Sequence, residues 1–465
     1  MPEAITAIQA ADHERARLGL SGLPETPVAT LARGIFGGIA VMKSGAGMIA
    51  GYASLQSAKA DAQSGDTIVV GPGTYNERNL LKNGVNWYFY PGAKVIYTGG
   101  VQGSIFDDTA NGLNGPVVCT IGGYGEFWRN CGAVNNVEGV IKITNAGSDV
   151  VFFAKSLKAT RSTVDGSLHY AVIQRLGRLS VYADYCYGTG GGLWWEGGEW
   201  YSNISVTEGD GLGQDDNPTG IIYSVSATGL TGKMWVEGQV ARSLNPLGTT
   251  INHFPAAAAA QMWVRFKEVI SPLACIGLNG GKFYGTFEKL TFTNTADFGD
   301  TAAAAIVVDA GLAWITVQKI AGRAVSMSSG LLHLDCMDLL DDTGDTANMM
   351  RFVAGEAHLR LGNFKAQTMS GLINDTAKII LKSGARIDTS AVSGSQPIEL
   401  TGIANFANLI LEAGVILKAH SGTTNGIKAT NAQNVTNYGY FTNKAKHANI
   451  TLKVITTETV SADVQ

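Results

Sequence analysis

Apolar and polar residues alternate along this chain in short runs, and the runs break at glycine. Three phrases, Trp87 to Val95, Ile379 to Ile387 and Leu409 to Leu417, share the order apolar-x-apolar-x-x-Gly-small-x-apolar. Their glycines are Gly92, Gly384 and Gly414. Alternation on both sides of a glycine predicts a strand, a tight corner and a second strand. One corner reused so far apart in the chain predicts a coil stacked many times, a β-solenoid. Toward the C-terminus the coils are marked by Ala313-x-Ile315-x-Val317, Ala357-x-Leu359-x-Leu361, Ala377-x-Ile379-x-Leu381 and Ala407-x-Leu409-x-Leu411. Leu332-x-Leu334 fills the gap between the first two.

Other stretches carry helical periodicity. Ile5, Ile8, Ala11 and Leu18 share a face over residues 1–18, and a second short helix is predicted from Val28 to Phe36, ended by Gly37-Gly38. Residues 1–45 thus form a distinct segment, a cap or an attachment peptide. From Tyr52 to Ala62 a helix is predicted with Leu55, Ala58 and Ala62 inward. An open solenoid end exposes strand edges and apolar core, so a helix there would serve as a lid. The repeating body spans 46–445. Between about 100 and 300, where six of the eight tryptophans fall, insertions or side sheets are expected to thicken it. The tail, 446–465, reads as one more strand from Asn449 to Val460.

After the predicted lid comes Gly65-Asp66-Thr67-Ile68-Val69-Val70-Gly71-Pro72-Gly73-Thr74-Tyr75-Asn76-Glu77. This resembles the opening of right-handed parallel β-helices of the pectin-lyase-like class, in which a short helix covers the open end. The resemblance implies an all-β fold, a right-handed parallel β-helix with a short helical N-terminal segment. The order of parts also resembles a bacteriophage fibre or tailspike subunit. That likeness implies a homotrimer made in the host cytoplasm and located in the virion. It would dock on a virion protein through residues 1–45 and meet host surface polysaccharide with its distal coils. Two rival functions share the fold: a polysaccharide lyase or hydrolase, as tailspike depolymerase or secreted enzyme, and a bacterial adhesin.

Composition narrows the partners. With 59 glycines against 11 prolines, corners are plentiful and strands are rarely interrupted. The net charge of −4 and the lack of any Lys/Arg cluster argue against nucleic acid. The most apolar early stretch, Pro27 to Met42, is broken by Arg33 and glycines and is too short to span a bilayer. The charges at Glu3, Asp12, Glu14, Arg15 and Arg17 do not fit a secretory signal. Five scattered cysteines without a CxxC predict buried thiols rather than a metal site or disulfide. No cofactor motif occurs: there is no GxSxG, no phosphate loop and no metal spacing among the histidines.

Glycan cleavage needs paired carboxylates, and the densest acidic cluster holds Glu208, Asp210, Asp215 and Asp216. These are the catalytic candidates, although a solvated turn also explains them. Gly211-x-Gly213-x-Asp215 echoes a single calcium-roll repeat. Asp335, Asp338, Asp341, Asp342 and Asp345 read as a charged loop after a strand. Arg175, Arg178, Arg242 and Arg265 are too scattered to suggest a lyase base. Trp194, Trp195, Trp200 and Tyr201 are the glycan-binding candidates, because flat aromatic faces stack on sugar rings. Trp195 and Trp200 differ by an odd number, so one regular strand cannot bury both; a turn at Gly197-Gly198 would.

Overall fold

The computed structural model describes residues 38–45, 47–99, 103–109, 115–131, 138–161, 169–210, 220–226, 232–246, 248–255, 258–293, 303–340, 349–365, 371–389, 391, 397–400, 409–418, 427–437, 440–442 and 448–454. The expected helices at 1–18 and from Val28 to Phe36 lie outside these residues.

The chain winds into a parallel β-helix with three faces. Face A begins with Thr67–Val70, Asn86–Phe89 and Val118–Gly123. Face B begins with Gly73–Tyr75, Ala93–Tyr97 and Glu126–Cys131. Face C holds Phe106–Asp107, Ile141–Ile143, Tyr170–Gln174 and Gly191–Trp195. Each strand pairs in parallel with its counterpart one coil later, as in Val150↔Leu179 on face A, Leu157↔Cys186 on face B and Val172↔Leu193 on face C. From Asp149–Arg161 to Glu356–Lys365 the A and B strands merge through an open corner, and Ala274–Phe292 runs through all three faces; from Lys378 on they are separate again. Among the described residues between 100 and 300, every strand joins one of the three faces. The predicted side sheets are not found there.

The glycine phrases are the A-to-B corners. Gly92, Gly384 and Gly414 have φ of 89°, 80° and 81°, in the left-handed region that a side chain disfavours. Ile379 pairs with Leu409 and Ile387 with Leu417, so the second and third phrases stack one on the other. Leu332 pairs with both Ala313 and Ala357, which confirms the inferred intermediate coil. One alignment needs correction. Ala357 stands over Ile379, not over Ala377, so this coil is 22 residues long (379 − 357) and not the 20 of the alanine spacing.

The interior is a column of stacked side chains. Near the start it is aromatic, with Phe89 and Phe127 ring centroids 4.9 Å apart and Phe127 and Phe152 5.2 Å apart. Farther on it is aliphatic, as in Ile315, Leu334, Leu359 and Leu381, each at most 2% exposed. Outside, opposite charges face each other from coil to coil: Arg178 lies 3.4 Å from Asp149 and 3.2 Å from Glu199, and Lys155 lies 3.0 Å from Glu126. Such exposed pairs contribute about 0–1 kcal/mol each, so they favour register more than stability.

The opening motif has a mechanical explanation. The lid helix, Leu55–Asp61, buries Leu55 and Ala58, and Ala62 just after it is also fully buried. Its first-turn donors are unpaired within the helix. Glu77, the glutamate that closes the motif, accepts both the Leu55 and the Gln56 backbone N–H at 2.7 Å. Asp66 accepts the backbone N–H of Gln63 and of Ser44 at 2.7 and 2.9 Å, and Lys43 sits 3.2 Å away. These bonds, the Gln63 one foremost, hold the Asp66 carboxyl below the usual range. A hairpin, Ile39–Lys43 with Gly47–Ala50, pairs antiparallel with the first strand of face A. Residues 39–45, read from sequence as part of an N-terminal segment, therefore belong to the body.

At the other end, Ala448–Val454 pairs in parallel with Ile427–Asn437. Among the described residues nothing pairs with its far edge.

Candidate functional site

The predicted glycan-binding aromatics are mostly turned away from solvent. A turn at Glu196-Gly197 separates face C from face A, so Trp195 and Trp200 both point into the core at 1% and 0% exposure. The turn resolves the parity objection in favour of burial. Trp194 faces outward but is covered by Tyr170 and Tyr223, which meet it edge-on at 5.0 and 5.6 Å. Tyr201 is outward and 8% exposed. None of the four presents an open ring face. The sequence signal was an aromatic cluster, and clustering does not distinguish inward from outward without the corner positions.

Two of the carboxylate candidates do come together with other chemistry, on the outside of face B. Residues opposite each other there run Trp128, Lys158, Tyr187, Glu208 and Arg242 in successive coils. The neighbouring outward row contributes Tyr185. Trp128, Lys158, Thr160, Tyr185 and Tyr187 line an open depression of about 270 Å³. Trp128 is 37% exposed, and its indole N–H donates to Thr160 Oγ1 at 2.7 Å, which fixes the ring. Lys158 Nζ lies 5.5 Å from the Tyr185 ring centroid, within cation–π range.

Glu208 and Asp210 do not line the depression but are bonded to two residues that do. Tyr185 donates its hydroxyl to Glu208 Oε2 at 3.2 Å, Tyr187 donates to Asp210 Oδ2 at 3.0 Å, and Arg242 is ion-paired with Glu208. Burial, and then the negative charge of Glu208 and of Asp210, pushes the Tyr185 and Tyr187 phenols up to about 12. Both phenols therefore stay protonated and keep donating. The lining offers a ring, an ammonium and hydroxyls to a polyhydroxylated ligand. Asp215 and Asp216 lie outside the described residues, as does the Gly211-x-Gly213-x-Asp215 echo.

Of the four arginines singled out from sequence, Arg175 pairs with Glu196 at 3.1 Å, Arg178 with Asp149 and Glu199, and Arg242 with Glu208. Asp335 and Asp338 are not in a loop but on the outer side of the strand Leu331–Leu340, against Arg360 and Asn363. Asp341, Asp342 and Asp345 lie outside the described residues. Cys119, Cys186, Cys275 and Cys336 are buried free thiols, and burial pushes Cys119 and Cys336 up to about 12. The Cys131 side chain is outside the description. Among the described residues no His/Cys/Asp/Glu group could hold a metal ion, and no helix is long and apolar enough to cross a membrane.

A second outward feature escaped the sequence. On face A, Trp235, Trp263, Tyr284, Trp314, His333 and His358 occupy the same position in successive coils. The first five stack in parallel, with centroids 4.9, 5.2, 5.0 and 5.4 Å apart and interplanar angles of 11° or less. His333 and His358 follow at 4.4 Å. Burial, and then the neighbouring His358, holds the His333 imidazole below its usual pKa. Unequal loops space these residues irregularly in the chain, so no fixed period marks them.

Comparison of the chain with known protein families, with curated proteins and with solved structures finds no match.

Proposed function

We propose that this protein is a virion fibre or spike subunit, a homotrimer of parallel β-helices that binds surface glycan in the face-B depression. The observation that carries the binding reading is Trp128. It is the one outward tryptophan among the described residues with neither a stacked nor an edge-on aromatic neighbour, and it borders Lys158, Thr160, Tyr185 and Tyr187. An indole 37% exposed beside hydroxyls and an ammonium suits a sugar ring, with hydrophobic stacking from the ring and hydrogen bonds from the rim. The fibre reading is supported by the capped solenoid and by the order of parts along the chain.

A depolymerase reading has one observation in its favour. Glu208 and Asp210 are two residues apart at the end of one face-B strand, and glycoside hydrolysis uses a pair of carboxylates. Against it, each carboxylate accepts a tyrosine hydroxyl and Glu208 also holds Arg242, so both are already engaged within the protein.

Binding to an array of bacterial surface polysaccharides, followed by a reducing-end assay on each ligand found, tests both readings. Trp128→Ala should weaken binding at least tenfold with an unchanged circular dichroism spectrum, and no ligand should be cleaved. Full binding by Trp128→Ala would overturn the site. Turnover abolished by Glu208→Gln or Asp210→Asn would replace the binding reading with the enzymatic one.

A further inference from the structure

The aromatic stripe on face A is unsuited to the glycan role given to face B. A sugar stacks on a ring face, and in the stripe each inner ring lies between its neighbours from the coils before and after. What remains outward is a row of ring edges about 25 Å long at the roughly 4.8 Å coil repeat. Leu312 and Leu331, both half-buried, widen it on one side next to Trp314 and His333. A contiguous apolar strip of this kind on an exterior calls for a partner.

We infer that the partner is a second copy of this chain, packed parallel and in register, so that the stripe lines the axis of the trimer. The inference rests on the homotrimer reading and assigns its contact surface. Two observations select this occupant. The first is the repeat: only another solenoid with the same coil rise keeps step with the ring edges over six coils. The second is the charge of the two rows flanking the stripe. Rotation about an axis along the solenoid sets the row two residues before the rings against the row two residues after them, at equal height. That brings Lys233 to Glu237 and Glu356 to Arg360, with Gln261 facing Arg265, Lys282 facing Thr286, Leu312 facing Thr316 and Leu331 facing Asp335. At no height along the six coils do like charges meet.

Light scattering on the full-length protein and on outward variants tests the assignment. The wild type should have a trimer mass. Trp263→Arg should dissociate it at micromolar concentration with β-sheet dichroism retained. Glu237→Lys should weaken assembly at least tenfold, and Lys233→Glu combined with Glu237→Lys should restore it, because the exchanged charges still meet at equal height. If Trp263→Arg fails to fold, the charge series decides alone. A monomeric wild type would overturn the trimer reading itself. A trimer that ignores Trp263→Arg and Glu237→Lys would overturn the face-A assignment while leaving the trimer standing. Restoration by Arg360→Glu with Glu237→Lys, and not by Lys233→Glu, would mean an antiparallel pair and overturn the in-register arrangement. Glycan binding by these variants reads face B separately.

Discussion

Acid should destabilise this fold, and the share carried by one buried side chain, His253, can be isolated. It lies inside face C with 0% exposure, its Nδ1 3.0 Å from Ser224 Oγ and its ring 6.3 Å from that of Phe283. Gly281 makes the room: a Cβ there would stand 2.6 Å from His253 Nε2. Burial pulls the imidazole pKa from 6.5 to about 3. Between those values the unfolded chain binds a proton that the folded chain refuses. The His253 contribution is therefore constant above about 6.5 and falls by about 1.4 kcal/mol for each pH unit below it, until about 3. From pH 7.5 to 4.5 the loss is roughly 3 kcal/mol. His253→Gln keeps a polar partner for Ser224 and cannot titrate. Guanidinium unfolding of both proteins at the two pH values isolates the effect. The variant should start less stable at pH 7.5, and the wild type should lose roughly 3 kcal/mol more on acidification. Parallel losses would refute the reasoning and mean that His253 protonates within the fold.

Two further substitutions probe how the corners and the lid are made. Gly414→Val should cost about 1–2 kcal/mol from its left-handed backbone alone, since an added Cβ has no neighbour closer than 3.7 Å, whereas exposed Ala413→Val should cost nothing measurable. Gly123→Ala should be far worse than either, because its Cβ would meet the Phe89 carbonyl oxygen at 2.1 Å; thermal melts that rank the three differently would remove the corner argument. Glu77→Ala leaves the Leu55 and Gln56 donors without their acceptor and should cost about 1–3 kcal/mol, with proteolysis beginning near the lid helix; an unchanged cleavage pattern would count against the clamp.

The coil was legible because its rules are local. Alternation and a corner glycine are written in each phrase, and Gly92, Gly384 and Gly414 all take the backbone those phrases demand. Leu55, Ala58 and Ala62 gave the inner side of the lid for the same reason. What failed depended on coil length. Ala357 and Ala377 look equivalent in sequence, yet Ala357 pairs with Ile379, and no residue announces the longer coil. Trp195 and Trp200 look like one exposed cluster, but the turn between them sends both inward. Glu208 and Asp210 were found as an acidic cluster, while their partners Tyr185, Tyr187 and Arg242 come from other coils. The face-A stripe was invisible because six residues far apart in the chain become neighbours only once every coil is counted.

The closed first end has a consequence for how the chain is made. Hairpin, lid helix and the Asp66 and Glu77 clamps all lie within residues 39–77, so they leave the ribosome before any later coil. Each new coil then meets a finished edge and needs to pair only with the coil before it. Folding can keep pace with translation, and the one growing edge is always the newest. A truncated message would yield a shorter but correctly begun helix, whereas loss of the opening segment would leave every later coil without a template.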